Sequence, residues 1–377
     1  MVGMRKLALL ALFCLLAARA HAGQKISVDE AEQRLAQAEG KPDLKVAHLL
    51  EGVELTERCS PARLARWQAA HPGKHTHDAL VALADASALL NLPPAELPPD
   101  PAPNLDEQRR MVTLAVHYVE EAIRGLPNFL ATRQTVYYED APAELGMNST
   151  LSVSADTPRP LRVATRTSIN IAYRAGHEVL DLPPTSKRRP YVSSHYLTTS
   201  GEFGPILNIV VVDAAKGRVS WSHWERGDTG LVAHFHYTVP EQVSHYHVTF
   251  PCEPGAVEHF PGYDGDFGVN PATGAILRIA IRAQLPAPCQ KVATSIVTEF
   301  GEVTLGERTY VCPLHGVSLT EMPIYLGGTT ARPAVEIPTR QVNDVIFTGY
   351  RLFHATARIV SIGEDVPEGK EQGPTGP

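Results

Sequence analysis

The chain has 377 residues, 44% of them apolar and 20% charged, a balance that suits a folded protein of about two domains and excludes wholesale disorder or a polytopic membrane protein. Thirty-four Lys and Arg against 41 Asp and Glu leave a net charge of −7, with no long basic run of the kind that grips nucleic acid. Abundant proline and glycine with few aromatics point to a turn-rich, largely β chain.

Residues 1–22 read as a cleavable signal peptide. Arg5 and Lys6 precede an apolar stretch over 7–18, and Ala20-His21-Ala22 places small residues where signal peptidase cuts. The stretch is shorter than the roughly 20 residues a membrane span needs, and Phe13 before Cys14 does not fit a lipobox. The expectation is therefore a periplasmic or extracellular protein with no transmembrane segment after cleavage. That compartment permits disulfides among Cys59, Cys252, Cys289 and Cys312. Spacing does not choose the pairing, although one bridge among the three late cysteines, with Cys59 buried or free, fits their clustering.

Residues 23–92 read as short helices. Ser27 with Glu30 forms a capping-box pattern before Ala31, Leu35 and Ala38, and a second helix opens at Thr76-His77-Asp78 with Leu80, Leu83, Ala84 and Leu90 along one face. Residues 93–103 hold six prolines in eleven positions and read as a linker. From Asn104 or Asp106 a helix is predicted through Arg124, with Met111, Leu114, Ala115, Tyr118, Val119 and Ala122 as its apolar stripe and Gly125 and Pro127 as its stop.

From Phe129 the period changes to two. Strands are predicted near 129–138, 161–173, 189–198, 206–213, 218–225, 231–238, 244–250, 264–269, 274–284, 291–303, 308–319 and 342–360. The short connections, such as Asn270-Pro-Ala-Thr-Gly274, imply antiparallel pairing. The expected fold is α+β: an N-terminal helical segment, then over 104–360 a helix packed on a long antiparallel meander, curled or barrel-like. Residues 361–377 read as a disordered tail.

Three stretches carry a resemblance: Leu126-Pro-Asn-Phe-Leu-Ala-Thr-Arg-Gln134, Ile171-Ala-Tyr-Arg-Ala-Gly-His177 and Val269-Asn-Pro-Ala-Thr-Gly-Ala-Ile-Leu-Arg278. In this setting they are similar to the periplasmic half-barrel superfamily that includes the lipoprotein carriers LolA and LolB and the sensor RseB. The resemblance implies an unclosed barrel over a helical lid that holds an acyl chain or peptide. The chain departs from the carriers in its size, its added helical region and its lack of a lipobox. The whole chain, including Gly201-Glu-Phe-Gly-Pro-Ile-Leu207 and Trp221-Ser-His-Trp224, also resembles secreted bacterial proteins of unknown function, which implies no activity.

Two constellations bear on chemistry. His234-Phe-His236 and His245-Tyr-His247 would form one imidazole patch for zinc or copper if a hairpin with a two- or four-residue loop at Pro240-Glu241 paired them. A three-residue loop would instead place the two pairs on opposite faces. Alternation puts Trp221 and His223 on one face of their strand and Trp224 on the other, and the two tryptophans are the candidate ligand-binding residues at the mouth of the curl. Asp264 and Asp266 resemble the start of an EF-hand loop, but Ala275 stands where a bidentate Glu is needed. Asn148-Ser-Thr150 is a glycosylation sequon. No Walker loop, dinucleotide fingerprint or nucleophile elbow is present. The leading expectation is a non-enzymatic, cofactor-free protein binding a lipid, acyl chain or hydrophobic peptide. The alternatives are a metal-dependent enzyme using the histidine patch and an envelope scaffold whose N-terminal helices recruit a partner.

Overall fold

The computed structural model describes residues 24–140, 159–174, 176–180, 203, 205–228, 230–253, 255–285, 289–326 and 335–352. Several expectations fall elsewhere: the 1–22 leader with Cys14, the Asn148 sequon, the 189–198 strand and the 361–377 tail lie outside the described residues.

The N-terminal layer forms as its caps dictate. Ser27 accepts from the backbone N–H of Glu30 while the Glu30 carboxylate accepts from that of Ser27, which starts α1 (Val28–Ala36). Helices α2 (Asp43–Leu50), α3 (Pro61–Ala70) and α4 (Lys74–Ala86) follow. The Asp43 side chain ties α2 to α4 by accepting from the backbone N–H groups of His75 and Thr76. Two short strands, β1 (Gln24–Ile26) and β2 (Val53–Leu55), pair in parallel beneath them. Ile26, Val28, Leu35, Leu50, Trp67 and Leu80 close a core of their own.

Helix α5 (Leu105–Gly125) begins where Asn104 caps the Glu107 N–H and ends ahead of Pro127, as the stripe and stop signals require. The ten-stranded sheet then runs β3 (Phe129–Glu139), β4 (Arg162–Arg174), β5 (His177–Leu180), β6 (Arg218–Gly227), β7 (Gly230–Val239), β10 (Gly262–Val269), β11 (Ile276–Gln284), β12 (Ala293–Leu305), β13 (Arg308–Leu326) and β14 (Val335–Leu352). Its spatial order is β5-β4-β3-β14-β13-β12-β11-β10-β7-β6, antiparallel throughout, and β5 and β6 do not meet, so the sheet is unclosed. The fold is α+β, an open half-barrel, as the sequence pattern and the resemblance together implied.

Two elements differ from expectation. Residues 206–213 form not a strand but part of helix α6 (Pro205–Lys216). A continuous apolar run satisfies either period, and here Pro205 at the first helical position and Gly217 just past the end favour the helix. The 244–250 segment does not pair with β7. Residues after Val239 make a short 3-10 turn (Glu241–Val243), and the chain then leaves the main sheet as a separate hairpin of β8 (Val248–Glu253) and β9 (Gly255–His259).

The sheet's two faces are covered differently. Phe235, Tyr237, Phe267, Ile279, Ile281 and Phe300 pack against Met111, Ala115 and Val119 of α5 and Ile206 and Val210 of α6. On the opposite face Tyr138, Ala280, Val297, Val317 and Val342 meet Val81 and Ala82 of α4 and the following Ala88. Asp213, fully buried near the end of α6, accepts from Tyr263 Oη at 2.9 Å and from the His245 backbone at 2.8 Å, which pins α6 to the sheet. Cys289 is disulfide-bonded, whereas Cys59 and Cys312 are buried free thiols, each pushed up to about 12 by burial.

The β10–β11 turn sits against α5. Asn270 Oδ1 accepts from the N–H groups of Ala272 and Thr273, and Gly274 takes φ +78° with its Cα facing the Leu114 backbone, where a Cβ would lie 2.4 Å from the carbonyl. Gly274→Ala is therefore expected to lower unfolding free energy by about 2 kcal/mol or more, from the left-handed backbone cost plus the displaced helix, read as a fall in the urea midpoint.

Candidate functional site

Cross-strand register aligns one residue per strand into a transverse row on the face covered by the N-terminal layer. His223 lies opposite His234, His234 opposite Gly268, Gly268 opposite Arg278, Arg278 opposite Glu299, and Glu299 opposite His315. Residues directly opposite in an antiparallel sheet share a face, so six adjacent strands present these groups side by side. Gly268 is the gap in the row for a steric reason: a Cβ there would come within 2.9 Å of the His234 ring.

At one end of the row Glu225 gathers three donors. His223 Nε2 lies 2.8 Å from Oε1, His234 Nε2 lies 3.4 Å from Oε2, and Arg58 from the N-terminal layer donates to Oε1. The two imidazoles stack with centroids 4.9 Å apart and planes within 11°. These donors hold the Glu225 carboxyl well below its ordinary value despite burial. Burial, opposed by Glu225, pulls His234 down to about 3, so its ring is neutral. In the middle, Arg278 donates to the Ala88 carbonyl and stands 3.7 Å from Glu299, and burial pulls its guanidinium down to about 10. At the other end His315 Nδ1 is 3.3 Å from Glu299 Oε2, and its Nε2 is 3.0 Å from Asp344 Oδ1 and 3.7 Å from Asp85 Oδ1. Hydrogen bonds to Asp344 and Glu299 hold the His315 pKa well above the usual histidine range against the cost of burial, and hydrogen bonding to His315 draws Glu299 down to about 2 against its own burial.

A cavity of about 990 Å³ opens beside the row. Tyr118, Ala122 and Leu126 from α5, with Leu277, Phe300, Val311 and Leu314 from the sheet, supply apolar lining; Arg58, Glu225, His234, Arg278, Glu299 and His315 supply the polar part. The volume is at the upper end of the range for small-molecule sites.

The sequence-derived candidates are placed as follows. His234 belongs to the row, His236 Nδ1 lies 3.2 Å from Asp266, and His245 Nδ1 bonds Asp213 at 2.5 Å. His247 packs near Phe260. The four imidazoles do not converge, because β7 takes β10 rather than the 244–250 segment as its partner. Among the described residues, the groupings with metal-ligand spacing are His223, Glu225 and His234, and Asp85, His315 and Asp344. The first is already charge-balanced by Arg58, and a cation there would have to displace that guanidinium. Trp221 and Trp224 contact each other edge-on at 4.8 Å and pack against the α5/α6 core, and Trp224 Nε1 donates to Pro101 O; neither lines the cavity. The reason is a bulge between Trp221 and His223, which takes Ser222 out of register and puts His223 on the face opposite the tryptophan pair.

Sequence reasoning missed Arg58, Asp85, Arg278, Glu299, His315 and Asp344. The available signal was a lone charged residue at an inward position of an apolar strand, as in Ile276-Leu-Arg-Ile-Ala-Ile281 and Ser295-Ile-Val-Thr-Glu-Phe300.

No family model matches the chain, and no curated protein matches it. Among solved structures, the LolA superfamily protein NE2245 from Nitrosomonas europaea is similar at 9% identity over 65% of this chain and 94% of that one, with a TM-score of 0.25. A likeness of that size carries no argument, and the half-barrel description rests on the strand pairing itself. No helix among the described residues is long and apolar enough to cross a membrane.

Two outcomes follow from the row. Glu225→Gln leaves Arg58 facing a neutral amide in the interior and is expected to cost about 3 kcal/mol at pH 7, measured by urea unfolding. Because the folded state holds His234 at about 3 against 6.5 when unfolded, the unfolded chain binds more protons between those values. Stability therefore falls as pH drops from 6.5 towards 3, by up to ~1.4 kcal/mol per unit, and His234→Gln flattens the 6.5–4.5 part of that profile, above the range where carboxylates begin to add their own loss.

Proposed function

We propose that the protein is an exported, non-enzymatic binding protein that takes an amphiphilic ligand, such as a lipid, acyl chain or hydrophobic peptide segment, into the cavity beside the row. The observation that carries this reading is the cavity's divided lining. Its apolar wall of Tyr118, Leu126, Leu277, Phe300 and Leu314 suits a hydrocarbon body, while Arg58 and Arg278 offer donors to a polar head. Export rests on the features of residues 1–22, whose Arg5 and Lys6, apolar stretch and Ala20-His21-Ala22 fit a cleaved signal.

The test is native mass spectrometry of the mature protein before and after organic extraction, together with titration by a fluorescent fatty acid. The expected result is an extractable lipid-sized mass and saturable binding. Leu314 is 40% exposed and lines the cavity, so Leu314→Glu is expected to fold normally and to weaken fatty-acid binding at least tenfold. A protein that carries no extractable mass and shows no saturable binding would overturn the reading.

A further inference from the structure

We propose that Asp85, His315 and Asp344 form a divalent-cation site of the zinc type that clamps the N-terminal helical layer to the sheet. It does not rest on the cavity's ligand and uses none of the paired-histidine residues read from the sequence.

Asp85 is 3% exposed, lies in the last turn of α4 and faces Asp344, itself 6% exposed, with Glu299 also close to His315. A carboxylate in the last turn of a helix meets the negative end of the backbone dipole, in the interior it loses its hydration, and here it also faces a second carboxylate. One imidazole serves both aspartates, since the Arg278 guanidinium 3.7 Å from Glu299 already offsets that third acid. The Asp85 Oδ2 atom is buried with no hydrogen-bond partner, although a buried carboxylate oxygen ordinarily has one. Burial, helix position and an orphaned oxygen all favour binding of a cation at this point.

The geometry fits one. With zinc bonds of about 2.0–2.2 Å, donors at neighbouring corners of a tetrahedron lie roughly 3.3–3.6 Å apart. His315 Nε2 is 3.0 Å from Asp344 Oδ1 and 3.7 Å from Asp85 Oδ1, and candidate donor atoms from all three residues lie within 4.8 Å of one another. Glu299 completes the arrangement from behind. Its Oε2, 3.3 Å from His315 Nδ1, fixes the proton on that nitrogen and leaves the Nε2 lone pair for a metal, the orienting contact that metal-bound imidazoles ordinarily have. His315 and Glu299 both line the cavity, which supplies an entry path and room for a water as fourth ligand. One imidazole with two carboxylates suits zinc, with manganese the next fit.

The test uses the full mature chain, stripped with a chelator and titrated with Zn²⁺ alone. The expected result is one equivalent bound, with an unfolding midpoint raised by several degrees. X-ray absorption at the zinc edge should then show one imidazole with oxygen donors. Asp85→Asn is expected to weaken zinc at least a hundredfold, Glu299→Gln tenfold or more, and His223→Gln to leave affinity unchanged. The absorption spectrum needs no variant, so a misfolding Asp85→Asn does not blunt the test. Absence of stoichiometric zinc, or a spectrum with two imidazoles and binding abolished by His223→Gln, would overturn the proposal.

Discussion

A charged row laid across the middle of a sheet must be covered and must also be neutralised, and most of this architecture follows from meeting both demands at once. A half-barrel with an apolar inner surface could be capped by any amphipathic helix. Here His223, His234, Arg278, Glu299 and His315 project from five strands, so the cover has to carry matching polar groups. The N-terminal layer brings Arg58 to Glu225, the Ala88 carbonyl to Arg278 and Asp85 to His315. Glu54 with Arg340 and Asp78 with Arg166 add pairs away from the row. Ion pairs that lose their water repay desolvation only with good geometry, so the row favours one docking pose of the helices over sliding alternatives.

The two faces divide the work. The α5/α6 face holds the stacked and edge-on aromatics Phe235, Phe267, Tyr237 and Tyr263 and contributes apolar burial. The opposite face contributes specificity. The cavity draws its lining from both, with α5 on one side and the row on the other, so a ligand there would touch the helix that anchors one layer and the charges that anchor the second.

Local signals in the sequence were legible wherever a few adjacent residues decide the outcome. The Ser27/Glu30 box, the Asn104 cap, the α5 stripe and the Asn270–Gly274 turn each formed as their side chains dictate. Legibility failed where a neighbour several strands away decides. Residues 206–212 suit helix and strand alike, and only the flanking Pro205 and Gly217 separate the two. Ser222 looks ordinary in sequence, yet as the bulged residue it takes His223 and Glu225 off the face of Trp221 and brings Trp224 onto it. The row itself joins residues more than ninety positions apart, from His223 to His315, through register alone, and no spacing rule reaches that far.

The strand order also sets when the molecule can exist. Strand β3 is made early, yet its partner on one side is β14, with Glu139 opposite Gln341, roughly two hundred residues later. Until the last strand emerges, β3 and β13 each present an open edge of unpaired amides in the centre of the future sheet. A nascent chain that crosses a membrane or leaves a ribosome from its N-terminus can therefore complete its helical layer first, but its sheet must wait for the final strand. Stalling or clipping before residue 335 would leave two sticky half-sheets in place of one folded protein.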